Sequence, residues 1–171
     1  MKRKKWLQVI ILAAILAVGG ITLAGNLLTA KAAPGIGDEA PNFTLPELHG
    51  GTGALADYKD RLVVLNFWGT YCPPCVNEMP LLQQFHEQYE SRGLAVIGVN
   101  EGDPAVAAKG FVRQYGITFP IWMDKDTVRK QYGVTEYPTT FFIKDGVIRH
   151  IAYGEMKEPY LSGVLASLMD K

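Results

Sequence analysis

The chain reads as an α/β domain with a small N-terminal β-hairpin, preceded by one transmembrane helix, and three features predict this. Residues 62–67 and 94–100 are short apolar runs rich in β-branched residues, and the stretch between them has helical spacing. That is the pattern of a parallel βαβ unit whose strands are buried on both faces. Residues 139–144 and 147–153 flank Asp145-Gly146, a dipeptide that favours a tight hairpin because its residues tolerate positive φ. Ahead of these, residues 6–30 run for 25 positions without a charge, and about 20 apolar residues suffice to cross a bilayer core.

Composition narrows the class. The part of this 171-residue chain beyond the apolar segment can bury one real core and is too short to suggest several domains. Over the whole chain 17 basic and 17 acidic residues balance, but from residue 31 onward 13 basic face 17 acidic residues, a net of −4. A mildly acidic domain gives no reason to expect a nucleic-acid partner. Two cysteines are too few for a disulfide scaffold, so their closeness in sequence matters more than their number.

Lys2, Arg3, Lys4 and Lys5 precede the apolar segment and place the N-terminus in the cytoplasm by the positive-inside rule, with everything after Lys31 on the outer side. The expected divisions are a basic N-terminus (1–5), a transmembrane anchor (6–30), a tether containing Pro34, Gly35 and Gly37 (31–38) and the α/β domain (39–171). Ala30-Lys31-Ala32 has the small-x-small form of a signal-peptidase site, which leaves a cleaved signal open. The apolar run exceeds the usual h-region of about 7 to 15 residues and favours a retained anchor.

Residues 42–45 are expected as a first strand, Gly50 to Gly53 as the turn of the hairpin, and 54–60 as a helical turn or loop. Gly69 and Thr70 break the central strand, and a helix follows from about Pro74 to Ser91, stopped by Gly93. Beyond strand 94–100, Asp103-Pro104 reads as the N-cap and first residue of a helix ending at Gly116. Residues 119–123 are a short strand and 126–132 a short helix stopped by Gly133. After the 139–153 hairpin, Glu158-Pro159 opens a last helix reaching about Met169.

Cys72-Pro73-Pro74-Cys75 lies where the central strand hands over to its helix. Thiols at i and i+3 can close a disulfide with little backbone movement. The unsatisfied amides and dipole of a helix start favour a thiolate, which makes Cys72 the expected attacking sulfur. Cys75, deeper in the helix, is the expected resolving sulfur that breaks a mixed disulfide. Two other readings stay open, a static structural disulfide and half of a zinc site. For zinc, only His49, His86 and His150 could add to the thiols, none at ligand-like spacing. The prolines offer no N–H to a Cys72 thiolate, so the reduced form is only modestly stabilised and the potential is expected on the reductant side, nearer thioredoxin at about −270 mV than DsbA at about −120 mV.

From about Pro41 to the end the chain resembles the membrane-anchored thiol-disulfide oxidoreductases of the TlpA/ResA type, which have a thioredoxin-like fold. The resemblance rests on Asn66-Phe67-Trp68-Gly69-Thr70-Tyr71-Cys72-Pro73-Pro74-Cys75, on Glu78-Met79-Pro80, and on Tyr137-Pro138-Thr139-Thr140-Phe141 roughly 60 residues on. It implies that the strand and helix between Leu94 and Tyr132 are a central insertion relative to plain thioredoxins. It also implies that Pro138, for which trans would be the default, is a cis-proline facing the disulfide. Tyr137 would then offer backbone groups to an extended client segment. Plain thioredoxins carry a buried aspartate where this chain has Asn66, which cannot titrate; the resemblance assigns the proton chemistry of the cysteines to Glu78. A solvated first-turn glutamate is the other reading of Glu78.

Trp68 could pack over the disulfide or be a plain core aromatic, and Tyr71 flanks the site. Glu101, just past a parallel strand, stands where doubly wound sheets place ligands, though a solvated loop acid is the simpler reading. The three histidines read as surface or partly buried residues, and Met156 and Met169 as core packing.

By resemblance, the client is an oxidised apocytochrome c whose Cys-x-x-Cys-His must be reduced before haem attachment, and electrons come from a membrane dithiol carrier of the CcdA type. No metal or organic cofactor is implied beyond the redox-active disulfide, and a monomer is expected. Rival readings are a reductant of other envelope or spore proteins, a thioredoxin-fold peroxidase, and a non-enzymatic peptide-binding module.

Overall fold

A hairpin of β1 (Thr44–Pro46) and β2 (Thr52–Ala54) leads through a 3₁₀ turn at Leu55–Tyr58 into β3 (Leu62–Trp68), the middle strand of the main sheet. The computed structural model describes residues 6, 11–16, 18–20 and 32–169. The chain divides into two units, Met1–Ala32 and Ala33–Lys171. The predicted span at 6–30 falls largely outside the described residues, and among those described no helix is long and apolar enough to cross a membrane.

After β3 come helix α1 (Pro73–Tyr89), strand β4 (Leu94–Glu101), helix α2 (Ala105–Tyr115), strand β5 (Ile121–Asp124) and helix α3 (Thr127–Gln131). Strands β6 (Thr139–Lys144) and β7 (Val147–Tyr153) and helix α4 (Glu158–Met169) complete the chain. The sheet order is β5-β4-β3-β6-β7, with β3, β4 and β5 parallel and β6 and β7 antiparallel. Every residue of β3 and β4 is buried, as a sheet covered on both faces requires.

The period of two divides β3 between two cores. Leu62, Val64 and Trp68 join Met79, Leu82 and Phe85 of α1, Phe111 of α2 and Leu161 of α4. Val63, Leu65 and Phe67 join Phe43 and Leu45 of the hairpin, Trp122, Val128 and Tyr132.

Several boundaries differ from the sequence reading, each for a local reason. Thr52 and Gly53, expected in the turn, belong to β2; Gly50 and Gly51, both at positive φ, make the turn. A Cβ on Gly53 would stand 2.2 Å from the Trp122 indole, so only glycine lets the hairpin lie on that ring. Helix α1 ends at Tyr89 and tightens into a 3₁₀ turn before Gly93, whose φ of 94° reverses the chain. Asp103 does not cap α2. Pro104 takes the N-cap position, and Asp103 turns back to the loop ahead of Cys72. Within the stretch read as a tether, Gly37 N–H and Asp38 C=O bond to Ile148 of β7.

Candidate active site

Cys72 is the N-cap of α1, in an extended conformation, and Pro73 and Pro74 fill the first two helical positions. Neither proline has an N–H, so the donor reaching Cys72 Sγ is the amide of Cys75, at 3.3 Å. The two sulfurs are bonded at 2.08 Å with their Cα atoms 5.3 Å apart. Cys72 is 7% exposed and Cys75 1%, which makes Cys72 the sulfur nearer to an incoming protein.

Glu78, one helical turn beyond Cys75, is 1% exposed. Its Oε1 accepts from Asn66 Nδ2 at 2.8 Å and its Oε2 from the backbone N–H of Met156 at 2.6 Å. Asn66 Nδ2 also donates to Thr140 Oγ1 at 2.9 Å, which orients the amide from β6. Burial pushes the Glu78 carboxyl up from 4.5 to about 7; the Met156 and Asn66 donors oppose the rise and nearby Glu155 adds to it. The solvated reading of Glu78 is thereby corrected: one turn into α1, the side chain points at the sheet and is covered by the residues after β7.

The loop ahead of Cys72 is held from β4. Thr70 N–H and Oγ1 donate to the two oxygens of Asp103 at 2.8 and 2.7 Å, and Asn100 Nδ2 donates to Asp103 Oδ2 at 2.7 Å. This support escaped the sequence reading, because Asp103-Pro104 matches a helix start and the contact to Thr70 spans 33 residues.

The Tyr137–Pro138 peptide is cis, as the resemblance implied. Pro138 is buried, and its carbonyl accepts from Gly154 N–H at 2.8 Å. The half-buried Tyr137 ring meets exposed Tyr71 edge-on, with centroids 6.3 Å apart, so both flank the disulfide loop. Trp68 sits fully buried in the cluster that contains Cys72 and Cys75 and packs against Phe111 at 5.0 Å. It therefore supports the site from below and presents no surface to a client.

Glu101 is likewise no solvated loop acid. It ends β4 at 4% exposure with Arg129 Nε 3.5 Å from its Oε2, and burial followed by Asp124 pushes its carboxyl up to about 7. His86 is buried on Phe119, His49 is exposed, and half-buried His150 bonds the Tyr160 hydroxyl at 2.6 Å. Met156 is in the core and Met169 packs at its edge. Among the described residues, no three His, Cys, Asp or Glu side chains converge as a metal site would need.

The profile of the AhpC/TSA family matches residues 36–151. The thiol-disulfide oxidoreductase ResA of Geobacillus thermodenitrificans is 38% identical over 164 residues, 95% of this chain and 94% of that protein. The ResA of Bacillus anthracis is 38% identical over 171 residues, covering 98% and 99% of the two chains. Among solved structures, a protein of Chlorobium tepidum described as a DsbE thiol:disulfide interchange protein matches with a TM-score of 0.73 at 30% identity, over 80% of this chain and 99% of that one. A secreted thiol-disulfide isomerase of Corynebacterium glutamicum matches at 0.70 and 26% identity, over 77% and 85%. With its paired cysteines at the helix start of a thioredoxin-like fold, the chain belongs to the ResA thiol-disulfide oxidoreductases within the AhpC/TSA family.

Proposed function

We propose that this oxidoreductase is a reductant outside the cytoplasmic membrane, held there by residues 6–30, and that its client is the disulfide of an apocytochrome c. The observation that carries the reductant direction is the poor supply of donors around Cys72 Sγ. Pro73 and Pro74 give no N–H, and the Cys75 amide at 3.3 Å is the donor found. A thiolate so weakly stabilised yields its electrons readily, because the reduced form gains little relative to the disulfide.

In the reduced enzyme the Cys72 thiolate attacks one sulfur of the client disulfide. A mixed disulfide forms, and the client's other sulfur leaves as a thiolate. Glu78 then takes the proton of the Cys75 thiol. The Cys75 thiolate attacks Cys72 Sγ and releases the client's second sulfur. Two electrons pass to the client and the Cys72–Cys75 disulfide remains. A carboxyl poised at about 7 suits proton exchange with a thiol near neutral pH. Tyr137, beside the cis-proline, would offer its backbone to an extended client segment. Regeneration requires a membrane dithiol carrier of the CcdA type.

An equilibrium redox titration against glutathione tests the direction. A midpoint near that of thioredoxin, about −270 mV, is expected; one above that of protein disulfide isomerase, about −180 mV, would overturn it. For the client, deletion of the gene is expected to abolish haem-loaded c-type cytochromes, and unaltered cytochromes would point instead to another envelope protein. The AhpC/TSA match favours a peroxidase as the second reading. That chemistry uses a Pro-x-x-x-Thr-x-x-Cys loop, whereas Thr70 stands two residues before Cys72 and is bonded to Asp103. No peroxide consumption above that of a free dithiol is expected.

A further inference from the structure

Glu101 and Asp124 are register partners at the ends of β4 and β5, both buried, on the face of the sheet opposite Glu78. Asp124 already accepts three backbone amides: Lys125 at 2.8 Å and Thr127 at 3.2 Å on Oδ1, and Arg129 at 2.8 Å on Oδ2. Two buried carboxyls therefore stand side by side, an arrangement that disfavours a second negative charge. A proton held by the pair belongs on Glu101, because Asp124 is committed as acceptor to three amides. Glu101 Oε1 is buried and accepts no hydrogen bond, a costly place for a carboxylate and a tolerable one for the neutral acid.

The cation facing Glu101 is Arg129, and its guanidinium has other partners. Nε donates to Asp126 Oδ1 at 2.6 Å, and Nη1 donates to the Val134 carbonyl at 2.9 Å. Val134 N–H returns to the Arg129 carbonyl at 3.0 Å. Residue 134 is thus gripped at both backbone groups, four residues before the cis-proline.

We propose that Glu101 is a positioning residue for disulfide exchange: neutral beside Asp124, it leaves Arg129 free to grip Val134, and that grip shapes the Tyr137–Pro138 segment that receives the client. The proposal rests on the docking role given to that segment. When Glu101 ionises, a second carboxylate stands beside Asp124 and draws Arg129 from Val134 towards itself. The other groups within electrostatic reach are Asp126 at the start of α3, Tyr137 ahead of β6, and Tyr71 ahead of α1. Both phenols have pKa values raised above 10, so neither ionises in the neutral range. Burial and Asp124 hold the Glu101 carboxyl near 7. The docking-competent form keeps its proton, so docking is firm below that pH and weakens as pH rises through it.

The test uses the oxidised full chain in detergent micelles and a disulfide-bridged Cys-x-x-Cys peptide with blocked termini and no titratable side chains. With no free thiol present, affinity is read without exchange. Glu78→Gln in every sample removes the other carboxyl that titrates near 7. Between pH 6 and 8.5 the Kd of this parent is expected to rise about fivefold or more, and to stay within about twofold once Glu101→Gln is added. Glu101→Asp, which keeps the acid, is expected to restore the slope. A flat parent, or a slope that survives Glu101→Gln, overturns the proposal. If a peptide N-methylated along its backbone binds the parent with the same Kd, the docking role itself fails, whatever the slope. In the unsubstituted chain, amide protection from Val134 to Tyr137 is expected to fall over the same pH range, and constant protection would also contradict it.

Discussion

Two neutral donors meet the Glu78 carboxyl, the Asn66 amide on one oxygen and the Met156 N–H on the other. They orient the group without overcoming its desolvation, so its pKa is raised from 4.5 to about 7 in the folded chain. Between those values the unfolded chain has lost this proton and the folded one keeps it. The contribution to stability is therefore full below about 4.5, declines as pH rises, and is lost by about 7. Each unit of difference is worth about 1.4 kcal/mol. Glu78→Gln is accordingly expected to flatten the fall in Tm between pH 4.5 and 7; parallel curves for the two proteins would contradict this. Asn66→Ala should cost about 1–3 kcal/mol in denaturant unfolding and push the Glu78 carboxyl higher still, because it removes a buried donor. At this scale the resemblance singles out Asn66 and Glu78, and the spacing of Glu78 from Cys75 is compatible with it. Their environment could not be read, since Met156 lies 78 residues beyond Glu78. Glu101 was misread for the same reason: only folding brings Arg129 against it.

The start of α1 is the element on which the chemistry turns. Pro74 occupies the second helical position, where an N-cap side chain ordinarily finds a donor. Pro74→Ala supplies that N–H to the Cys72 thiolate. A hydrogen bond to a charged group is worth about 1.5–3 kcal/mol, which for this two-electron couple predicts a potential higher by about 30–60 mV. An unchanged or lower potential would show that donor count does not set it. Where β3 and β4 pair, Gly98 lets Trp68, Ile121 and Phe119 close over the strand; an added Cβ would lie 2.7 Å from Ile121 Cδ1 and 2.9 Å from Trp68 Nε1. Gly98→Ala should therefore cost about 1–3 kcal/mol by overpacking, measured as a lower denaturation midpoint with the same m-value. Elements with strong periodicity were legible: β3, β4, α1 and the Asp145-Gly146 hairpin all lie close to where their patterns put them. The short β5 and α3 shifted by one or two residues because so few positions carry a pattern. Asp103 was given to the wrong partner because a cap and a loop support look alike in sequence.

Over the whole molecule, the sheet order brings three distant parts of the chain to one place: the end of β3 with the cysteines, the end of β4 with Asp103, and the turn into β6 with the cis-proline. The sequence could supply the first from a short motif, and the third only through resemblance, since an X-Pro bond is trans by default. The meeting itself belongs to topology. This convergence leaves Cys72 less deeply buried than Cys75, and from that asymmetry follows the division of labour between them. The most direct test is to reduce a Cys75→Ala chain, expose it to a disulfide-bridged Cys-x-x-Cys-His peptide and locate any adduct by mass spectrometry. The account predicts a stable mixed disulfide on Cys72, and none when Cys72→Ala is treated alike. An adduct of equal yield on Cys75 in the Cys72→Ala chain, or no adduct on Cys72 at all, would contradict it.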